Sequence, residues 1–200
     1  MLFSSIVFLF TFLPVILILY YLVPRRLKNA VLLLCSLVFY AWGEPVYIFL
    51  MIFSIIFNYI SGLDIARNLK NQRAARGSLI FNLVVNLGIL GFFKYEGFLL
   101  DSLNRVLPVD IPYRELALPI GISFYTFQIL SYIIDVYRQN VKAQKNFMDF
   151  ALYVTMFPQL IAGPIVRYSD IERQLHSRQE SFRKFGDVLY PGSGKEGTAG

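Results

Sequence analysis

From Leu2 to Val23 the chain runs for 22 residues without a charged side chain. A helix of that length reaches about 33 Å, enough to cross a hydrocarbon core of about 30 Å. A secretory leader would carry a basic residue before the apolar run and a small-residue cleavage site after it. Here no basic residue precedes the run, and it closes on Tyr20-Tyr21-Leu22, so the segment is expected to stay as a span. Pro14 falls inside it. A proline in hydrocarbon frees a carbonyl that neighbouring helices must satisfy, which points to a packed bundle and away from a lone anchor.

Composition extends the argument to all 200 residues. Hydrophobic residues make up 56% and charged residues 16%. An average soluble chain has about 45–50% and about 25%, so too little polar surface exists here to clothe a water-facing body. The net charge of +6 would suit a nucleic-acid binder, but the basic residues sit between apolar stretches, where membrane topology accounts for them. No nucleic acid is expected as a partner. Cys35 is the one cysteine, which excludes an intrachain disulfide and a cysteine-rich metal site.

The apolar segments after the first are expected at Asn29–Trp42, Val46–Gly62, Leu79–Leu100, Ala117–Ile134 and Phe150–Val166. The Asn29–Trp42 run is short, about 21 Å as a helix, and should span incompletely or sit inside the bundle. Gly43-Glu44-Pro45 ends it and turns the chain. The connections at 24–28, 63–78 and 135–149 together hold ten basic residues, against two in 101–116. The positive-inside rule then places those three in the cytoplasm, 101–116 outside, and the N-terminus outside. Pro158-Gln159 and Gly163-Pro164 interrupt the Phe150–Val166 run, which fits a broken or re-entrant element as well as a crossing. Between Ile171 and Phe185 the apolar residues share one helical face, as in an interfacial helix. The fold class is all-α: a polytopic helical membrane protein.

Few residues offer chemistry. His176 is the one histidine and lies in a polar stretch, so it reads as a solvated residue before a catalytic base, and metal ligands are absent as a set. Neither a zinc-protease helix motif nor a phosphate-binding loop is present; Gly192-Ser193-Gly194-Lys195 lacks the required spacing. The unusual segment is 117–138. Gly121, Tyr125, Gln128, Tyr132 and Asp135 recur there at helical spacing, forming a polar stripe that should face other helices or an aqueous cavity. The helix breaks around Gln159 similarly suggest a cavity wall.

Several of these stretches carry a resemblance. LPIGISFYTFQILSYIIDVYR at 118–138 and FPQLIAGPIVRY at 157–168 resemble signature segments of the membrane-bound O-acyltransferase family. The opening 24 residues, FYAWGEP at 39–45 and GFFKY at 91–95 resemble its bacterial branch of alginate O-acetyltransferases and related polysaccharide acetylases. The resemblance runs in order through residues 1–186 and implies the N-terminal part of a helical bundle around a tunnel. It further implies transfer of acetyl groups from a cytoplasmic donor, acetyl-CoA or another acyl carrier, to hydroxyls of an extracytoplasmic polysaccharide, with a periplasmic acetyltransferase as a partner. The implied location is the inner membrane.

The family's catalytic histidine belongs to a later helix, and no residue of this chain matches it; His176 does not. The expectation is therefore a chain that is inactive alone, with no catalytic residue of its own and with Gln128, Gln159 and Arg167 as the candidate tunnel residues. After Gly186 the chain reads DVLYPGSGKEGTAG, where the family continues with a Gly-Leu-Gly-Lys-Lys-Val type motif. Read one base later, codons allowed by YPGSGKEGTAG can spell Ile-Leu-Gly-Leu-Gly-Lys-Lys-Val-Leu-Leu, so 187–200 is expected to be a frameshift product. The alternatives are a D-alanyl transfer protein of teichoic-acid modification, which shares the architecture, a transporter fragment, and a truncated non-enzymatic membrane protein.

Overall fold

A computed structural model describes residues 8–24, 27–106, 118–156 and 168. The described residues form helices and turns and no strand. The first apolar segment enters through a π-helical turn, Phe8–Phe12, and continues as α1, Leu13–Leu22. Pro14 lies in the first turn of α1. Its missing N–H and its ring disfavour an ordinary bond to the carbonyl four residues back, and the widened turn upstream is where the helix changes register.

Helix α2, Lys28–Gly43, has 16 residues and packs on α1, on α3, Ile48–Arg67, and most extensively on α6, Phe147–Thr155. The expected α3 boundary, Gly62, is corrected: the helix continues five residues further, to Arg67. Gly62 does not end the helix because it serves close packing. A Cβ there would lie 3.2 Å from Tyr132 Cε1 and 3.6 Å from Ile133 Cδ1 on the facing helix. Much of the expected 63–78 connection is therefore helical, and only a short turn separates α3 from α4, Gln72–Val106. Asp64 fixes that turn, accepting hydrogen bonds from Ser78 Oγ at 2.6 Å and Asn68 Nδ2 at 3.0 Å.

Helix α4 extends through 101–106, so the first residues of the expected external loop are helical; 107–117 lie outside the described residues. Helix α5, Ile122–Tyr137, starts five residues later than expected. Gly121 precedes it with φ 77°, a left-handed conformation that glycine adopts without steric cost, so this member of the polar stripe caps the helix and does not belong to it. Only nine residues, Phe147–Thr155, form α6, about 14 Å of helix. It is too short to cross, and every residue from Asp149 to Thr155 is buried. The expected apolar element at 150–166 thus begins as a short helix enclosed by protein; 157–167, the 171–185 helix and the 187–200 tail lie outside the described residues.

Helix α3 and the first 26 residues of α4, Gln72–Gly97, are long and apolar enough to cross a membrane. Their side chains are arranged inside out relative to a water-soluble bundle. Phe49, Ile60, Phe81 and Val84 are 73%, 59%, 62% and 63% exposed, whereas Asn58 and Asn82 are 0% exposed. Water would penalise such a surface, and lipid would not. The chain is a helical membrane protein.

Candidate functional site

The centre of the bundle is the junction of α5 with α6. Tyr125, Gln128 and Tyr132 share one stripe of α5 and are all buried. Gln128 Nε2 donates to the Tyr153 carbonyl at 2.8 Å, and the Tyr153 hydroxyl donates back to the Gln128 carbonyl at 3.4 Å. The two helices are clamped by this reciprocal pair, each polar group satisfied where no water would reach it. Asp135, the last member of the stripe, is only half-buried and accepts from Asn140 Nδ2 at 3.1 Å.

Below that clamp the connection between α5 and α6 folds onto the same stripe. The Tyr132 hydroxyl accepts the Gln144 N–H at 2.8 Å, and Gln144 Nε2 donates to the Tyr168 hydroxyl at 2.7 Å. The Tyr132 ring lies 5.1 Å from Phe150 and 5.0 Å from Tyr168, centroid to centroid, within the range of favourable aromatic pairs. Asn146 caps α6, its side chain accepting from the Met148 N–H at 3.0 Å. Asp149 in the first turn is buried yet well served: Asn29 Nδ2 at the start of α2 donates to it at 2.8 Å and Asn146 Nδ2 at 2.9 Å. A carboxylate at a helix N-terminus also meets the favourable end of the helix dipole.

Two further hydroxyls are buried in the same core, Tyr40 on α2 and Tyr125 on α5, the second beside Ser54 of α3. Among the described residues no group of three His, Cys, Asp or Glu side chains could hold a metal.

Of the residues singled out from the sequence, Gln128 is placed in the α5–α6 clamp, while Gln159, Arg167 and His176 lie outside the described residues. The sequence reading passed over a second polar centre, Asn58 on α3 with Asn82 and Asn86 on α4. Asn82 Nδ2 and Asn86 Nδ2 donate to Asn58 Oδ1 at 2.7 and 2.9 Å, and Asn58 Nδ2 donates to Asn86 Oδ1 at 3.0 Å. The available signal was the i, i+4 spacing of Asn82 and Asn86 inside an apolar run, which puts both amides on one face.

A probable alginate O-acetylase of Pseudomonas aeruginosa is 47% identical over 191 residues, 94% of this chain and 37% of the relative. The corresponding protein of Azotobacter vinelandii is 46% identical over 192 residues, 94% of this chain and 38% of the relative. The chain is similar to alginate O-acetylases along nearly its whole length. It is also similar to a peptidoglycan O-acetyltransferase of Helicobacter pylori, 34% identical over 217 residues, with 94% of this chain and 41% of that protein covered. The chain spans a little over a third of the length of these O-acetylase relatives. No family model and no solved structure matches it.

Proposed function

We propose that this chain forms the membrane-embedded N-terminal part of an O-acetyltransferase that delivers acetyl groups to hydroxyls of an extracytoplasmic polysaccharide, with alginate as the favoured acceptor. The observation that carries this reading is the 47% identity to an alginate O-acetylase along 94% of the chain. The family-like part in this reading is residues 1–186, with 187–200 a separate tail. The protein sits in the inner membrane with its N-terminus outside, takes acetyl groups from a cytoplasmic acyl donor, and works with a periplasmic acetyltransferase.

The chemistry sets what such a bundle must provide. A hydroxyl is a weak nucleophile at neutral pH and needs a positioned base, and the acyl carbonyl needs donors for its developing charge. The described residues hold no histidine. Their contribution in this reading is the rigid wall on which acceptor and donor are aligned. Gln128 acts there as a positioning residue through Tyr153, with Gln159 and Arg167 as further tunnel residues.

The test is a chimaera in which residues 1–186 replace the matching segment of the Pseudomonas aeruginosa relative, in a strain lacking that relative. Restored acetyl content of secreted alginate is the expected result. A chimaera that inserts and accumulates normally but leaves alginate unacetylated refutes the reading. In the active chimaera, Gln128→Ala should lower acetylation and leave insertion intact.

A further inference from the structure

Where α3 ends, the C-terminal turn of α5 and the connection to α6 border an open pocket of about 730 Å³, with Arg67, Lys142 and Lys145 exposed at it. Leu63, Leu69 and Val136 give it apolar walls, and Arg67, Lys142 and Lys145 are the charged residues that line it. Among the described residues no carboxylate lines it. Two carboxylates on the helices that border it are hydrogen-bonded to other side chains: Asp64 accepts from Ser78 and Asn68, and Asp135 accepts from Asn140. Among the described residues none of the three cations makes an ion pair.

The walls of this cavity are fixed. The Tyr59 hydroxyl donates to the Lys145 carbonyl at 2.6 Å, and Tyr132 holds the Gln144 N–H. Helix α5 closes in a Schellman turn, with Gln139 at φ 61°, the Gln139 N–H on the Val136 carbonyl at 3.0 Å and the Asn140 N–H on the Asp135 carbonyl at 2.9 Å. The Ile134, Asp135 and Val136 carbonyls are therefore satisfied by backbone, and the cations are left for an anion.

We propose that this cavity binds the phosphate of an anionic phospholipid headgroup, with Arg67, Lys142 and Lys145 around the phosphate and the apolar walls against the first part of the acyl chains. Its position decides for lipid over a soluble phosphate compound. Arg67 is the last residue of a membrane-spanning helix, so the cavity opens at the hydrocarbon boundary, where headgroups are concentrated and basic side chains meet them. Arginine adds a planar fork that matches phosphate oxygens, and the lysines add point charge.

The experiment titrates the detergent-solubilised full chain with phosphatidylglycerol and, separately, with phosphatidylcholine, and reads bound lipid by native mass spectrometry. The Arg67→Gln, Lys142→Gln, Lys145→Gln triple variant is expected to lose about tenfold in phosphatidylglycerol affinity. The Lys70→Gln, Arg73→Gln, Arg76→Gln triple removes equal charge from the same end of the bundle without touching the cavity, and is expected to stay within about twofold of wild type. Equal losses in both triples overturn the site in favour of diffuse attraction. Lys142→Gln alone, an exposed loop substitution that spares the helices, should cost about threefold; no loss there overturns the assignment whatever the triple does. Inorganic pyrophosphate bound without any phosphatidylglycerol preference overturns the lipid as the source of the phosphate.

Discussion

Replacing Asn58 with leucine removes an amide that serves as acceptor for Asn82 and Asn86 and as donor to Asn86, three hydrogen bonds between α3 and α4. Interhelical hydrogen bonds in membrane proteins average about 0.6 kcal/mol each, because amides freed in the bilayer find other partners, so the bonds sum to about 2 kcal/mol. The loss falls unevenly. Asn86 keeps its contacts to the Asn82 carbonyl and side chain at 2.9 and 3.1 Å, whereas the buried Asn82 amide loses its bond to Asn58. If the cost comes from that stranded amide, removing all three asparagines together should cost less than removing one, since no polar group is then left behind. The expected values are about 2 kcal/mol for Asn58→Leu and under about 1 kcal/mol for the triple leucine variant. Unfolding from dodecylmaltoside into SDS, followed by helical circular dichroism, measures both. A single variant as stable as wild type, or a triple variant costing the sum of three singles, refutes the account of the network.

Three further outcomes follow from local geometry. Gly62→Ala should destabilise by about 1 kcal/mol net, since alanine gains helix propensity but its methyl meets a Tyr132 ring pinned by Gln144, Phe150 and Tyr168; a stabilised variant in the same SDS titration would show that the ring yields. Gln139→Gly should stabilise by up to about 1 kcal/mol, because the left-handed residue of the Schellman turn then loses its Cβ strain, and an unchanged midpoint would remove strain as a term there. Asp149→Asn should cost about 1–3 kcal/mol, because an amide nitrogen then replaces one of the two carboxylate oxygens, of which Oδ1 faces the Asn29 donor and Oδ2 the Asn146 donor. Asp149→Glu tests charge against fit: recovery by glutamate would mean that charge at the helix start outweighs the fitted geometry.

What was legible in the sequence divides along physical lines. Apolar runs show where helices cross, and Gly43-Glu44-Pro45 shows where one ends, so the helical class and the order of elements were readable, whereas the start of α5 was not, since the expected segment ran through Pro119 and Gly121. The polar stripe of α5 was also readable, because burying Tyr125, Gln128 and Tyr132 in hydrocarbon is costly unless partners exist. The boundaries failed where one residue type serves two purposes. Gly62 reads locally as a helix end, but its lack of a side chain is used for contact with Tyr132, which only the tertiary arrangement reveals. Arg67 and the basic residues after it read as a connection, yet charge at a helix end is compatible with either. The asparagine centre was missed for the opposite reason: Asn58 in one segment and the Asn82–Asn86 pair in another meet only when α3 and α4 pair.

Helix α6 explains why the polar stripe had to lie on α5. A nine-residue helix leaves most of its terminal N–H and C=O groups without partners within itself, and lipid supplies none. The structure meets this need from neighbouring protein. Asn146 accepts the Met148 N–H at the N-terminal end and Gln128 donates to the Tyr153 carbonyl near the C-terminal end, while Asn29 of α2 holds the Asp149 side chain in the first turn. Each of those partners is a polar residue in or beside an apolar segment, where the bilayer alone would select against it. The polar pattern of the sequence is therefore the imprint of a short buried helix, and the wall it builds is set by protein contacts and not by membrane thickness.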